Sequence, residues 1–262
     1  MKAKERRINM AETLLSMRSS SLLWGTFNRT FHSALLQRKK AIALILLLLI
    51  QLHFACGGKK DNSILLIPVP ASVSGTVTYQ DKTYDQTGFT GDVTSKPVRY
   101  ADVEVVDSFT NAVLASTSTD AFGGYSINYT TYVGHPVKLR ITAIANPAGS
   151  RVAEIKNLQA HVYTVTTAVQ SPLVNLDIPI TNPAGGAFNI LDVLTTSAEF
   201  VNDLDSAYPP QIVAYWDAAT SSIYGTGYCS GGCSPGPGIF IIGYSGGDTD
   251  GYDDDVIWHE YG

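Results

Sequence analysis

The chain has 262 residues, of which 45% are hydrophobic and 16% are charged, and its formal net charge is −5. This composition excludes intrinsic disorder, a collagen-like repeat and a multi-pass membrane protein as the class of the whole chain. The charge is divided unevenly: residues 1–60 hold 11 Lys/Arg against 2 Asp/Glu, whereas residues 61–262 hold 7 against 21. The acidic part lacks the basic surface that nucleic acids require, so we expect no nucleic-acid partner.

The basic N-terminal part ends in a segment typical of an export signal. Arg38, Lys39 and Lys40 precede ten unbroken apolar residues, 41–50. Ten residues would span about 15 Å of helix, half of a bilayer core, which favours the apolar region of a signal peptide over a membrane span. A buried core helix is the alternative. We predict that residues 1–55 are a leader and signal peptide.

A short motif follows the apolar segment. Ala55-Cys56-Gly57-Gly58 resembles the end of a bacterial lipobox, in which cleavage occurs before a lipid-modified cysteine, although His53 stands where that motif usually has Leu. The resemblance implies a lipid on Cys56 and a tether over residues 56–71. The membrane would then be a partner, and the protein would lie at the bacterial outer membrane or cell surface; a periplasmic or secreted location is the alternative.

Residues 72–181 alternate apolar and polar side chains with a period of two. The segments 73–79, 137–143 and 174–178 are the clearest examples. About seven short strands separated by turn residues predict an antiparallel β-sandwich. The polar stretch 81–96 is predicted to be a long hairpin insertion. His135 and His161 are isolated, and we expect each to face solvent or to be satisfied within the core.

One turn in this region carries a family resemblance. The segment 119–125, Thr-Asp-Ala-Phe-Gly-Gly-Tyr, is similar to the T-D-x-x-G-x-Y turn of the carboxypeptidase-regulatory-like (transthyretin-like) β-sandwich. Gly75 and the segment 97–103 also match that family. The expected geometry agrees, because Asp120 can cap its own turn and Gly123 can adopt a positive φ. The resemblance implies a structural or binding module.

The last eighty residues differ in pattern. The composition of segment 182–186, Asn-Pro-Ala-Gly-Gly, predicts a linker. Apolar residues at spacings of three or four then predict a helix over 187–204. Segments 211–215 and 238–244 are predicted to be two strands. We therefore place a second, incomplete domain at residues 187–262.

Between these strands lies the segment Cys229-Ser-Gly-Gly-Cys233. In an exported protein two spare thiols tend to pair, and the intervening glycines permit a tight loop. A disulfide is therefore predicted. Half of a metal site is the alternative, but no second Cys/His pair is present to complete it.

The chain ends in Val256-Ile-Trp-His259-Glu260-Tyr-Gly262, which supplies four of the five residues of H-E-x-x-H. In that motif two histidines on one helix face bind Zn²⁺, and the glutamate acts as general base on the metal-bound water. Together with the opening D-x-V-x-x-H-E at 254–260, the order of helix, strands and acidic loop resembles the first lobe of thermolysin-like (gluzincin) zinc metallopeptidases. The resemblance implies that His259 is a zinc ligand and Glu260 the catalytic base. An ordinary helix start is the alternative.

The acidic run at 248–255 raises the question of calcium. A loop that starts at Asp248 fails the EF-hand pattern, because its sixth and twelfth positions are Asp253 and His259. A looser Ca²⁺ site built from Asp248, Asp250 and Asp253 is one possibility. A solvated loop that favours the start of the following helix is the other.

We therefore expect a mainly β chain: an antiparallel β-sandwich of the immunoglobulin or transthyretin type, followed by a partial α+β metallopeptidase lobe. The expected function is that of an exported lipoprotein and fragment of a zinc metalloendopeptidase acting on peptide or protein substrates. The other ligands would lie beyond residue 262, so the chain as given is expected to show little or no proteolysis. A non-catalytic surface binding or adhesion lipoprotein is the alternative.

Overall fold

The computed structural model describes residues 67–85, 88–220, 222–243 and 249–262. Leu65–Gly262 form one compact unit. The described part is mainly β, as predicted, with two α-helices. The strands are β1 (Pro68–Asp85), β2 (Gly88–Pro97), β3 (Ala101–Asp107), β4 (Val113–Ser118), β5 (Gly124–Tyr132), β6 (Val137–Ala145), β7 (Ala153–Lys156), β8 (Thr164–Ala168), β9 (Leu176–Ile178), β10 (Ile212–Tyr215), β11 (Gly227–Cys229) and β12 (Gly238–Phe240), and the helices are α1 (Ala184–Asp205) and α2 (Asp254–Tyr261).

The first sheet is organised around the long strand β1. Its first half pairs antiparallel with β5, from Pro68 opposite Tyr132 to Thr76 opposite Gly124. Its second half pairs antiparallel with β2 and forms the long hairpin predicted for 81–96. Strand β1 begins at Pro68, so the last four residues of the tether predicted for 56–71 are part of a strand, while residues 56–66 lie outside the described residues. Strand β9 adds to β1 in parallel, a departure from the expected all-antiparallel pattern.

The second sheet has eight strands in the order β11-β12-β10-β7-β6-β3-β4, with β8 also paired to β6. Strands β3, β4, β6 and β8 are antiparallel. Strand β10 runs parallel both to β7 and to β12. The strands of the C-terminal region therefore extend the sheet of the sandwich, and residues 72–181 and 187–262 share one sheet.

The core lies between the two sheets and beneath α1. Strands β3 and β6 bury alternate side chains, as their period of two requires, and those of Val103, Val105, Leu139 and Ile141 are almost fully buried. The turn before β5 has the predicted geometry: Asp120 Oδ1 accepts hydrogen bonds from the backbone N–H of Phe122 and of Gly124, each at 2.8 Å.

Helix α1 packs against β1, β6 and β7. It begins at Ala184, so the linker predicted for 182–186 is wrong for its last three residues, which are buried helical positions. Asn182 Oδ1 accepts a hydrogen bond from Ala184 N–H at 2.9 Å and satisfies one free donor of the first turn. The apolar face turns out of the core near the end of the helix, where Leu204 is exposed. Within the described residues, neither helix meets the length and hydropathy that a membrane crossing requires.

Candidate active site

Helix α2 carries the His259-Glu260 pair, and its start is fixed by local hydrogen bonds. Asp253 is the N-cap residue, and its Oδ1 accepts a hydrogen bond from Val256 N–H at 3.2 Å. A single 3₁₀ turn, Asp250–Tyr252, precedes the helix and is capped in the same way by Thr249 Oγ1. Asp253, Asp254 and Asp255 also place negative charge near the first turn of α2, where it interacts favourably with the helix dipole.

A buried polar network holds the same helix start against α1. Asn189 is fully buried on α1; its Nδ2 donates to Gly251 O at 3.2 Å and to Asp254 Oδ1 at 2.8 Å. Its Oδ1 accepts a hydrogen bond from the Tyr79 hydroxyl at 3.2 Å, and that hydroxyl also lies 3.1 Å from Asp192 Oδ2. Burial and the nearby carboxylates raise the pKa of Tyr79. The hydroxyl therefore remains a neutral donor.

The hairpin β1–β2 reaches the same point from the other side. Lys96 Nζ lies 2.8 Å from Asp81 Oδ2 and 3.3 Å from Asp254 Oδ2. Burial alone would lower the pKa of Lys96, but the two carboxylates outweigh it and raise that pKa. Burial raises the pKa of Asp81, against the effect of Lys96. Three elements, α1, α2 and the hairpin, thus meet at Asp254.

The residues of α2 differ in how far they are exposed to solvent. Ile257 is fully buried and anchors the helix to the core. His259 is exposed, and Glu260 is half-buried. Glu260 Oε2 lies 3.8 Å from the position that a Cβ would occupy at Gly227 of β11. The carboxylate therefore lies against a strand that is the last in its sheet among the strands the structure describes.

Strand β11 is antiparallel to its neighbour β12, with Gly227 opposite Phe240. A groove of about 500 Å³ lies between this strand pair and the ends of both helices. Its walls are mainly apolar, and Glu260 is the only charged residue among the described residues that line it; the others are Val201, Pro209, Pro210, Ile212, Tyr228, Ile239, Tyr261 and Gly262.

The remaining predicted site residues are distributed as follows. Cys229 and Cys233 are joined by a disulfide, with their Cα atoms 6.4 Å apart. Cys56 and Asp248 lie outside the described residues. Asp250 accepts a hydrogen bond from the Thr226 hydroxyl, and Asp253 serves as the helix cap. Over the described part of the chain, no group of three or more His, Cys, Asp or Glu side chains is placed to hold a metal ion, and zinc and calcium both remain predictions.

The two isolated histidines lie away from this groove. His135 Nδ1 lies 3.2 Å from Asp107 Oδ2, beyond strand β5, and His161 is exposed. The backbone hydrogen bond from Thr110, followed by the bond with His135, lowers the pKa of Asp107 to about 2.

Sequence reasoning missed the residues that position α2. Asn189 and Lys96 contact the start of α2 and hold it in place. In the sequence, Asn189 is a single polar residue within an apolar helical face. An amide at a position where the 3.6-residue period requires an apolar side chain is the signal that could have identified it, because such a group needs a buried partner.

No protein-family model and no curated protein sequence matches the chain. One similar solved structure is the crystal structure of a 9R-lipoxygenase from Cyanothece PCC8801, with 12% sequence identity and a TM-score of 0.24. The match covers 53% of this chain and 25% of the lipoxygenase chain, so it spans about a quarter of that protein's length. A likeness this weak carries no argument about fold or function.

Proposed function

We propose that residues 187–262 are the first part of a zinc metallopeptidase domain, in which His259 is a zinc ligand and Glu260 is the general base. The observation that carries the proposal is the position of Glu260 beside the edge strand β11, with His259 exposed on the same helix. A carboxylate in this position can accept a proton from a water molecule that attacks a peptide bound along the strand.

The edge strand suits a peptide substrate. A strand at the edge of a sheet presents unpaired N–H and C=O groups, to which an extended peptide can add as a further strand. Peptide bonds held along β11 would pass close to Glu260, whose Oε2 lies 3.8 Å from the Cβ position at Gly227. We therefore propose extended peptides or unfolded protein segments as substrates.

The described residues supply one zinc ligand, His259, whereas catalytic zinc sites use three protein ligands. The residues present therefore do not make a complete site. The proposal requires further ligands from chain beyond residue 262, beginning with a histidine at position 263. For the 262 residues as given, we expect neither tight zinc binding nor measurable peptide hydrolysis.

The test begins with the codons that follow Gly262 in the source gene. A chain extended through that downstream sequence is expected to bind one zinc ion by elemental analysis and to cleave an unfolded protein. Glu260→Gln should lower cleavage by at least about 100-fold with zinc retained, since a general base contributes on the order of 10²–10⁴. His259→Ala should lose the zinc. A residue other than histidine at 263, or equal cleavage by Glu260→Gln, would refute the proposal.

We further propose that the protein is exported and held at the bacterial surface by a lipid on Cys56, as the lipobox-like sequence indicates. The membrane fraction of a producing bacterium should contain the chain, and Cys56→Ala should move it to the soluble fraction. Cys229→Ala, which leaves the lipobox unchanged, is the matched control. Unchanged fractionation of Cys56→Ala would reject the anchor.

A second candidate function is non-catalytic binding by the sandwich. The observation that favours it is a shallow groove at the end of the sandwich, whose walls are mainly apolar and which Ser74, Asp120, Asn175 and neighbouring residues line. The turn that supplies Asp120 also carries Phe122, which is 83% exposed. An exposed aromatic ring beside polar groups is a common feature of binding surfaces. Binding that persists in Glu260→Gln and is lost in Phe122→Ala would support this function.

A further inference from the structure

One end of the sandwich carries a cluster of exposed apolar side chains, which we call the end patch and define as Ile67, Val69, Phe109, Tyr132 and Val133. Phe109 is 67% exposed, Val133 66% and Ile67 50%. Exposed apolar residues are ordinary when they are scattered singly, whereas a contiguous group marks an interaction surface.

Contacts within the end patch show that it is contiguous. Val133 N–H donates a hydrogen bond to Ile67 O at 3.1 Å, which joins the start of β1 to the turn after β5. The ring of His135 contacts those of Tyr132 and Phe109 edge-on, at centroid distances of 5.5 and 5.4 Å. Three segments, namely the start of β1, the β3–β4 turn and the β5–β6 turn, therefore present apolar side chains at one end.

The end patch lies where the chain leaves the proposed lipid anchor. Ten residues, 57–66, separate Cys56 from Ile67, and at full extension this length of chain reaches at most about 40 Å. The residues immediately before the patch, Ile64, Leu65 and Leu66, are also apolar in the sequence. A lipid on Cys56 would hold the patch at high effective concentration near the bilayer surface.

We propose that the end patch is a membrane-docking surface that inserts its apolar loop tips into the lipid headgroup region beside the anchor. This inference rests on the proposed lipid on Cys56 and does not depend on the proposed peptidase activity. Tyr132 suits such a position, because its ring is apolar and its hydroxyl is polar, as at membrane interfaces generally.

The charge of residues 61–262 indicates that the contact with lipid is apolar rather than electrostatic. Residues 61–262 hold 7 Lys/Arg and 21 Asp/Glu, so an anionic lipid surface repels this part of the chain. Docking is therefore apolar, and it should occur on zwitterionic vesicles and resist salt. By this argument, raising the salt concentration should not release the patch from phosphatidylcholine.

Docking by this end also sets the position of the candidate active site. Strand β6 starts at Val137 beside the end patch and runs to Ala145, a rise of about 26 Å for eight residue steps. Strand β7, which carries β10 and β12, pairs with β6 only at Ile144 and Ala145. The strands of the site are thus attached to the end of the sheet that faces away from the bilayer.

The test places a tryptophan at either end of the sandwich. Phe109→Trp reports on the end patch, and Phe122→Trp reports on a still more exposed aromatic position at the opposite end of β5, where Thr76 pairs with Gly124. Each full chain is exported, purified with its lipid and reconstituted in phosphatidylcholine vesicles with or without brominated acyl chains. The emission of the parent chain, with its native tryptophans, is subtracted.

We expect brominated lipid to quench the added tryptophan of Phe109→Trp by at least half and that of Phe122→Trp by less than a tenth, in low and high salt alike. Equal quenching of the two variants in a vesicle-bound chain would overturn docking while leaving the lipid anchor intact. A parent chain that does not sediment with vesicles, and that behaves like Cys56→Ala, would overturn the anchor and the docking together.

The rate at which the protein transfers between vesicles provides a second test of the end patch. Phe109→Ser combined with Val133→Ser should raise the rate of transfer between vesicles at least tenfold, whereas Phe122→Ser should leave it unchanged; both should keep the melting temperature of the parent. Unchanged transfer would contradict docking. Self-association of Cys56→Ala that the Phe109→Ser and Val133→Ser changes abolish would also overturn it, because the patch would then bind a second copy of the chain.

Discussion

Replacing Asn189 with alanine tests whether the buried network fixes the start of α2. The change removes the hydrogen bonds from Asn189 Nδ2 to Gly251 O and Asp254 Oδ1, and the one that Oδ1 accepts from Tyr79. Each net hydrogen bond contributes about 1 kcal/mol, and the buried Gly251 carbonyl loses a partner. We therefore expect the free energy of unfolding to fall by about 3 kcal/mol.

The assay is urea unfolding at pH 7, followed by circular dichroism. With an m-value of about 2 kcal/mol/M, the loss should lower the midpoint by about 1.5 M urea. Hydrogen exchange supplies the local readout: amides of residues 249–261 should lose protection, while those of β3 and β6 should follow only the global change.

Asn202→Ala is the matched control, because Asn202 lies on the same helix and its side chain is partly exposed. Its cost should stay within about 0.5 kcal/mol. If Asn189→Ala costs no more than this control, or if protection of residues 249–261 is unchanged, the network does not hold the helix that carries His259 and Glu260, and the reasoning fails.

Two further predictions concern stability. Burial, followed by the charge of Asp81, raises the pKa of Tyr252 to about 12, whereas an unfolded tyrosine ionises near 10. The stability that this difference supplies is fully present below pH 10 and is lost as the pH rises towards 12. Between pH 9 and 11.5, the free energy of unfolding of Tyr252→Phe should therefore fall by about 2 kcal/mol less than that of the parent in urea titrations. Equal falls would contradict the raised pKa of Tyr252. In α1, a Cβ at Gly186 would lie 2.5 Å from Cη2 of Trp216. Gly186→Ala should thus destabilise the protein by about 1–3 kcal/mol in spite of its better helix propensity, whereas Gly231→Ala, with open space around it, should be neutral in thermal melts.

The sandwich strands could be predicted from sequence because each shows its own period of two, and the local turn chemistry of Asp120 followed from residue type alone. The parallel pairing of β10 with β7 could not, because a four-residue apolar segment contains no information about which distant edge it will join. The predicted strand 211–215 is therefore nearly right in extent, while its place in the sandwich sheet was unexpected.

The glycines at the start of α1 show why composition wrongly predicts a linker there. The composition of segment 182–186 predicts that Gly185 and Gly186 are linker residues, yet a Cβ at either would collide with a neighbour, the hydroxyl of Tyr252 or the ring of Trp216. Glycine there permits close approach of a helix to two aromatic side chains. A single sequence cannot distinguish this use of glycine from a flexible connection, because the partners lie 30 or more residues away.

The few basic residues of the acidic part bind the sandwich to the helices. Arg99 follows β2, and its guanidinium contacts Asp192 and Glu199 of α1, each at 2.6 Å, while Lys96 on β2 contacts Asp254 of α2. With carboxylates on both sides, these cations remain charged across the neutral range, and breaking one pair would leave a partly buried acid uncompensated. Changes in the hairpin should therefore alter the helix that carries Glu260. It follows that residues 187–262 should not fold without the sandwich, and that any assay of Glu260 requires the sandwich to be present.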